Sequence, residues 1–356
     1  AEGVKVSLTT KSSRLAGRTL PAGSYLVRRE PNEAGVRDVL TRVLPFTGAS
    51  PIALDTAFTE EGPALGSSTV VNLKKPKVVL VTGPGSDANV SGALRLSVER
   101  GLGIRVSRRT ASSLSRASFE GVTAVILPPG SPAFVREIES AGSAAALKRF
   151  VESGGVVVGI REGTDALRSE ALGLSAAKVW EPEPDEADTK KGGKPAEADA
   201  KKEPAPAKEP AKSPAVKPAS KAATPGAEED AELLADLARR PLPPPGAFVR
   251  TKGYPGHPIL FGTEGADLVF LIQDGNPPKR LSRARANVLT VAATDPLAAG
   301  FAWKESLDRW AGAPLVTVEE KGKGRVVSFS ADPSFRGFFR GPEILLLNTL
   351  LLAGVY

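Results

Sequence analysis

No cysteine and no methionine occur among the 356 residues, histidine occurs once, and aromatic residues make up 5% of the chain. Each shortage removes a class of chemistry. Without cysteine there is no disulfide, no thiolate zinc site and no thiol nucleophile, while compartment stays open, because oxidising and reducing locations both tolerate cysteine-free chains. With His257 as the sole histidine, the chain cannot assemble a catalytic zinc site unaided, since such sites draw on two or three histidines or on histidines with a carboxylate. No metal site and no cofactor is therefore expected in this segment. Methionine is missing even at position 1, so Ala1 reads as the product of processing or of cutting a longer polypeptide. The arginines are spread over many segments with no aromatics interleaved as a base-stacking platform, so the net charge of +7 reads as a solvated basic surface and not as a nucleic-acid partner. No apolar run reaches the roughly 20 residues of a membrane-spanning helix. Residues 344–353 come closest, and Asn348 and Thr349 interrupt them.

What is present is enough for a large core, with 41% hydrophobic residues. Residues 1–75 read as a small α/β section: strands at 4–9, 24–29, 51–54 and 69–73, and a helix over 32–43 capped by Asn32. From Lys77 the pattern becomes βαβ. Strands are expected at 77–81, 104–107 and 124–127 and in the β-branched run Val156–Val158, with helices over 88–100 and 134–151. Apolar strands alternating with helices argue a mostly parallel sheet covered by helices on both faces. Between about 181 and 228 the composition changes to Ala, Pro, Lys and Glu, too poor in apolar side chains to offset the entropy of ordering, so disorder is expected there. Beyond a short helix around 230–238, sheet-forming segments resume at 248–251, 267–272 and 288–292, followed by a hairpin of 315–319 with 325–330 and an apolar helix over 343–353. The low-complexity stretch thus reads as an insertion into one α/β domain spanning 76–180 and 229–356. A linker between two separate domains is the alternative.

The segment with most chemical content is 154–167, GGVVVGIREGTDAL. A β-branched run enters a turn that Gly159 and Gly163 make sharp, and Thr164 or Asp165 supplies a cap for the helix that follows. This is how α/β folds present a nucleophile. Gly159-Ile160-Arg161-Glu162-Gly163 resembles the Gly-Ile-Cys-x-Gly elbow of class I glutamine amidotransferases, with Arg161 in the cysteine's place. A guanidinium stays protonated at ordinary pH and cannot attack a carbonyl. Glu162 and Asp165 flank the turn as acid or base candidates, although a helix start attracts carboxylates for dipole reasons alone. His257, in a Pro/Gly-rich loop, reads as a loop-fixing residue or as a proton carrier. Gly83-Pro84-Gly85-Ser86-Asp87-Ala88 fits a loose dinucleotide pattern, but Arg108 and Arg109 stand where a ribose-binding acid belongs, which favours a structural turn. In 332–341, DPSFRGFFRG, Arg336 and Arg340 form either an anion clamp with aromatic walls or a corner whose rings fill the core and whose arginines pair locally.

Taken together, 17–27 (GRTLPAGSYLV), 55–62 (DTAFTEEG), 80–84 (LVTGP), the His257-Pro258 loop and 332–341 resemble the C-terminal region of bacterial zinc carboxypeptidase-like proteins. In that family a carboxypeptidase A type domain precedes an amidotransferase-like, flavodoxin-like α/β domain. The resemblance implies a non-catalytic accessory or binding segment, periplasmic or extracellular. Its partners would be the peptidase domain of the same protein and a peptide or cell-envelope ligand, with zinc confined to that peptidase domain. The family's His-x-x-Glu zinc motif has no match here, and Pro129-Gly130-Ser131 occupies the place of the amidotransferase oxyanion loop. The residues left to bind a ligand are Arg161, Glu162, Asp165, His257, Arg336 and Arg340. The rival expectation is a hydrolase acting at 159–165 with carboxylate or histidine chemistry.

Overall fold

The computed structural model describes residues 3–32, 35–181, 243–263, 268–337 and 339–353. The low-complexity stretch expected over 181–228, and a short helix expected near 230–238, fall outside them apart from Glu181. In the N-terminal section β1 (Ser7–Thr9) lies between β4 (Tyr25–Leu26) and β5 (Val70–Asn72), antiparallel to both, and β2 (Ser13–Leu15) pairs with β3 (Arg18–Leu20) in a hairpin the sequence reading missed. Helix α1 (Val36–Val43) starts at Gly35, not at Asn32. Asn32 instead bonds the backbone of Lys5 and Arg28. None of the α1 residues is buried, and no strand forms at 51–54.

The remaining strands join one sheet. β6 (Val78–Thr82), β7 (Ser107–Thr110), β8 (Ala124–Leu127), β9 (Val156–Ile160) and β15 (Gly324–Phe329) are parallel neighbours in the order β7-β6-β8-β9-β15. In chain order this is 2-1-3-4-5, the flavodoxin-like doubly wound arrangement, which switches direction between β6 and β8. Beyond β15 the sheet continues antiparallel. β14 (Pro314–Lys321) pairs with β15 in the expected hairpin, β12 (Asn287–Val291) pairs with β14, and β10 (Gly246–Gly253) pairs with β12. β11 (Val269–Ile272) and β13 (Leu297–Phe301) both pair with β10. The sheet is therefore woven from chain on both sides of 182–242.

Strand alternation divides the core into two layers. Val78, Leu80, Ile126, Val158 and Ile160 point to the side covered by α2 (Ala88–Leu102) and α7 (Arg340–Leu352). Val79, Val81, Val125, Leu127 and Val157 meet α3 (Pro132–Glu139), α4 (Ala141–Glu152) and α5 (Gly163–Arg168) on the other. Each such side chain, wholly withdrawn from water, contributes about 1.5–3 kcal/mol before the entropy of ordering is charged. The single helix expected over 134–151 is two helices, because Ser140 (φ −53°, ψ 142°) leaves helical space and starts the second. The edge strand begins at Ser107 and not at Ile104, and the short helix α6 (Lys304–Trp310) was not anticipated.

Candidate functional site: the elbow at the carboxyl edge of the sheet

All five residues of β9 are buried, since β8 and β15 flank the strand and helices cover both faces. At its end the Arg161 N–H still reaches the Phe329 carbonyl at 2.8 Å, and the chain then turns back through Arg161 at φ 50°. A non-glycine residue in left-handed space costs about 1–3 kcal/mol and marks a position the surroundings enforce. Gly163 is required by close approach. A Cβ there would collide with the Leu127 carbonyl oxygen and lie 2.9 Å from the Pro128 oxygen. The expected caps act differently. Thr164 donates its hydroxyl to the Arg161 carbonyl (2.6 Å), Asp165 pairs with Arg168, and the cap position is held by Glu162 without a side-chain bond.

The Arg161 guanidinium lies 3.1 Å from Glu162 Oε1 and 3.9 Å from Asp274 Oδ2. Facing it electrostatically is Asp332, the residue that follows β15 by three positions, whose side chain is buried. Its Oδ1 accepts from the Ser334 N–H (2.8 Å) and hydroxyl (3.1 Å), whereas Oδ2 is buried without a hydrogen-bond partner. Burial raises this carboxyl above the usual aspartate range. The Ser334 bonds and the Arg161 charge oppose that, and the charge of Asp87 adds to it. Asp165 is raised by burial too, against the pull of Arg168.

The neighbouring crevice, at the switch point between β6 and β8 where doubly wound folds hold ligands, is closed by main-chain bonds. Asp87 N–H donates to the Pro129 carbonyl (2.9 Å) and Ser131 N–H to the Gly85 carbonyl (2.8 Å). Asp87 Oδ1 takes the N–H groups of Asn89 and Val90, so a carboxylate of the chain already occupies the start of α2. That is the physical reason the 83–88 glycines are a turn. The bond from Ser131 likewise uses the amide an oxyanion loop would offer.

Of the six ligand candidates, the fold brings Arg161 and Glu162 into contact, with Asp165 on the following helix turned to Arg168. The other three lie elsewhere. His257 is buried in the β10–β11 connection, where its Nδ1 accepts the Ile259 N–H at 3.3 Å and caps a 3-10 turn that Asn348 of α7 holds through the Ile259 and Phe261 carbonyls. Burial pushes its pKa down to about 4, with Arg285 and Arg325 adding to the effect, so it is a neutral cap at pH 7. Arg336, itself at φ 50°, lies over the Phe335 ring at 5.2 Å in a turn against α2. Arg340 pairs with the buried Glu343 at 2.8 Å, and Phe339 packs on Phe248 and Phe270. The two arginines thus have separate local partners, and of the two readings of 332–341 this is the corner. Sequence reasoning missed Asp332 and Asp274 as neighbours of Arg161. The signal available for Asp332 was an acid at the end of the strand beside the elbow strand.

No family model and no curated protein matches the chain. Among solved structures it is similar to PurLQS from Thermotoga maritima, at 14% identity over 77% of this chain and 98% of that one, with a TM-score of 0.43. It is similar also to a ThuA-like protein from Parabacteroides merdae (16% identity, 79% and 90% covered, TM-score 0.44). Drosophila melanogaster DJ-1beta matches over a shorter stretch (15% identity, 29% and 63% covered, TM-score 0.24). No helix among the described residues is long and apolar enough to cross a membrane.

Proposed function

We propose that this chain is a non-catalytic accessory or binding domain that retains the frame of a nucleophile elbow without its nucleophile. The observation that carries the reading is Arg161 at φ 50° on the strand-to-helix turn, a strained position with a side chain that cannot attack an electrophile. Its charge is met by Glu162 and Asp274, which leaves little field for an incoming anion. The rival hydrolase would need Glu162, Asp165 and His257 to converge, and each has a different partner: Arg161, Arg168 and the Ile259 amide.

Within this reading the larger protein is a zinc carboxypeptidase-like hydrolase of the periplasm or cell exterior. This segment would stabilise its peptidase domain or present a peptide or cell-envelope ligand to it. The support is the set of motifs at 17–27, 55–62 and 332–341. The test is to assay the purified chain for peptidase and glutaminase turnover with and without added zinc, alongside Glu162→Gln. No turnover in any sample is expected. Turnover that Glu162→Gln lowers by about 100-fold, the usual scale for an acid–base group, would transfer the function to the hydrolase. A polypeptide upstream of Ala1 lacking a His-x-x-Glu motif would remove the carboxypeptidase context and leave the binding reading standing.

A further inference from the structure

The opposite edge of the parallel strands carries a cleft of about 870 Å³, within the size range of small-molecule sites. Thr123 before β8, Gly155 before β9 and Lys323 before β15 all line it, which fixes it at the amino edge, away from the elbow. Three cations border it: Lys74, Arg149 and Lys323. All three are exposed, and no ion pair joins any of them to a carboxylate among the described residues. Glu120 is the one acid in the lining.

The simplest structural use for these cations would be to neutralise the carbonyl end of α4, which closes into the same cleft. Those carbonyls already have donors. Ser153 N–H bonds the Arg149 carbonyl at 3.0 Å, Gly154 N–H that of Val151 at 2.9 Å, Gly155 N–H that of Phe150 at 2.9 Å and Lys323 N–H that of Glu152 at 3.3 Å. The Ser153 hydroxyl adds a second bond to the Phe150 carbonyl at 2.9 Å. The cleft is not purely polar either. Phe119, half-buried, meets Phe150 with ring centroids 5.0 Å apart, giving the cations an aromatic wall.

We propose that this cleft binds a small ligand bearing at least two negative charges on a planar ring system, the chemistry of a nucleoside diphosphate. Arg149 supplies a planar fork of donors suited to phosphoryl or carboxylate oxygens, the two lysines supply point charges, and the Phe119 ring takes the planar group. Titration calorimetry of the full chain at low ionic strength with ADP, pyrophosphate and adenosine tests it. ADP is expected to bind more tightly than either fragment, to weaken at least about tenfold (about 1.4 kcal/mol) in the Lys74→Ala/Arg149→Ala/Lys323→Ala variant, and to weaken as salt is raised. Phe119→Leu should lower ADP affinity and leave pyrophosphate unchanged. Absence of ADP binding at roughly 1 mM, the weak end of specific affinity, overturns the proposal, as does binding that the triple variant leaves intact. Pyrophosphate binding as tightly as ADP overturns the planar-ring component. The three cations sit at exposed positions and Phe119 is half-buried, and an unchanged melting temperature in each variant shows that lost binding is not lost folding.

Discussion

The two edges of the parallel strands differ in what their side chains have left to offer. At the carboxyl edge, where an enzyme of this topology would work, the cation Arg161 is held by Glu162 and Asp274, Asp332 is buried, and the 83–87 and 129–131 loops are bonded to one another. At the amino edge Lys74, Arg149 and Lys323 border an open cleft whose main-chain carbonyls are already satisfied. A fold can therefore keep the strained geometry of a reactive edge while its exposed cations, unpaired among the described residues, border a cleft at the other end of the same strands. Strain and available chemistry are separable, and only the second predicts a ligand.

The largest expected effect breaks the elbow itself. Gly163→Ala places a methyl group against the Leu127 and Pro128 carbonyl oxygens, which are backbone and cannot swing aside. A loss of about 3 kcal/mol in unfolding free energy is expected, the upper part of the usual cost of overpacking, read by urea denaturation. A loss under about 0.5 kcal/mol, typical of a surface change, would mean the elbow relaxes freely and is not an enforced geometry. Arg161→Gly should move stability the other way, by about +1 kcal/mol, because glycine adopts φ 50° without strain. If this variant is instead destabilised, the Glu162 and Asp274 contacts outweigh the backbone strain.

A subtler difference lies in acid. The folded pKa of Asp332 is raised by burial, so the folded state holds its proton more tightly than the unfolded one. The stability from that proton is present below the ordinary aspartate pKa, about 4, and is lost as pH rises through the folded value. Asp332→Asn, which keeps an Oδ1 acceptor for Ser334, should flatten this decline in melting temperature above pH 4. Asp165, shifted the same way, leaves a residual slope. A profile indistinguishable from the parent would show that the ionised Asp332 is fully accommodated beside Arg161.

These outcomes bear on what the residues disclosed before the structure did. The Val156–Ile160 strand, its sharp exit and the 315–330 hairpin were legible because buried β-branched runs and glycine turns are local signals. The break at Ser140 was not, because the spacing of Phe134, Ile138, Ala141 and Ala145 runs through it as one helical stripe. Hairpin β2–β3 is three residues a side and depends on Arg14 bonding the backbone of Glu60 and Glu61, some 46 positions away in sequence. The same limit hid the elbow's neighbours. Asp274 and Asp332 reach Arg161 only because β15 lies beside β9 and the antiparallel strands extend from it. In the amino-edge cleft, Lys74, Arg149 and Lys323 come from three distant segments with no shared motif.

The smallest expected effect decides whether that edge is spare. Lys74→Ala, Arg149→Ala and Lys323→Ala should each change unfolding free energy by less than about 0.5 kcal/mol, the range for exposed side chains without a structural partner. Their combination should cost no more in low salt than in high salt, because three cations around one cleft repel one another and removing them relieves that repulsion where screening is weakest. A low-salt loss of about 1 kcal/mol or more for Arg149→Ala would mean that its charge still serves the end of α4 despite the bonds to those carbonyls. The contrast between the two edges would then vanish, since the cations of both would already be engaged by the fold.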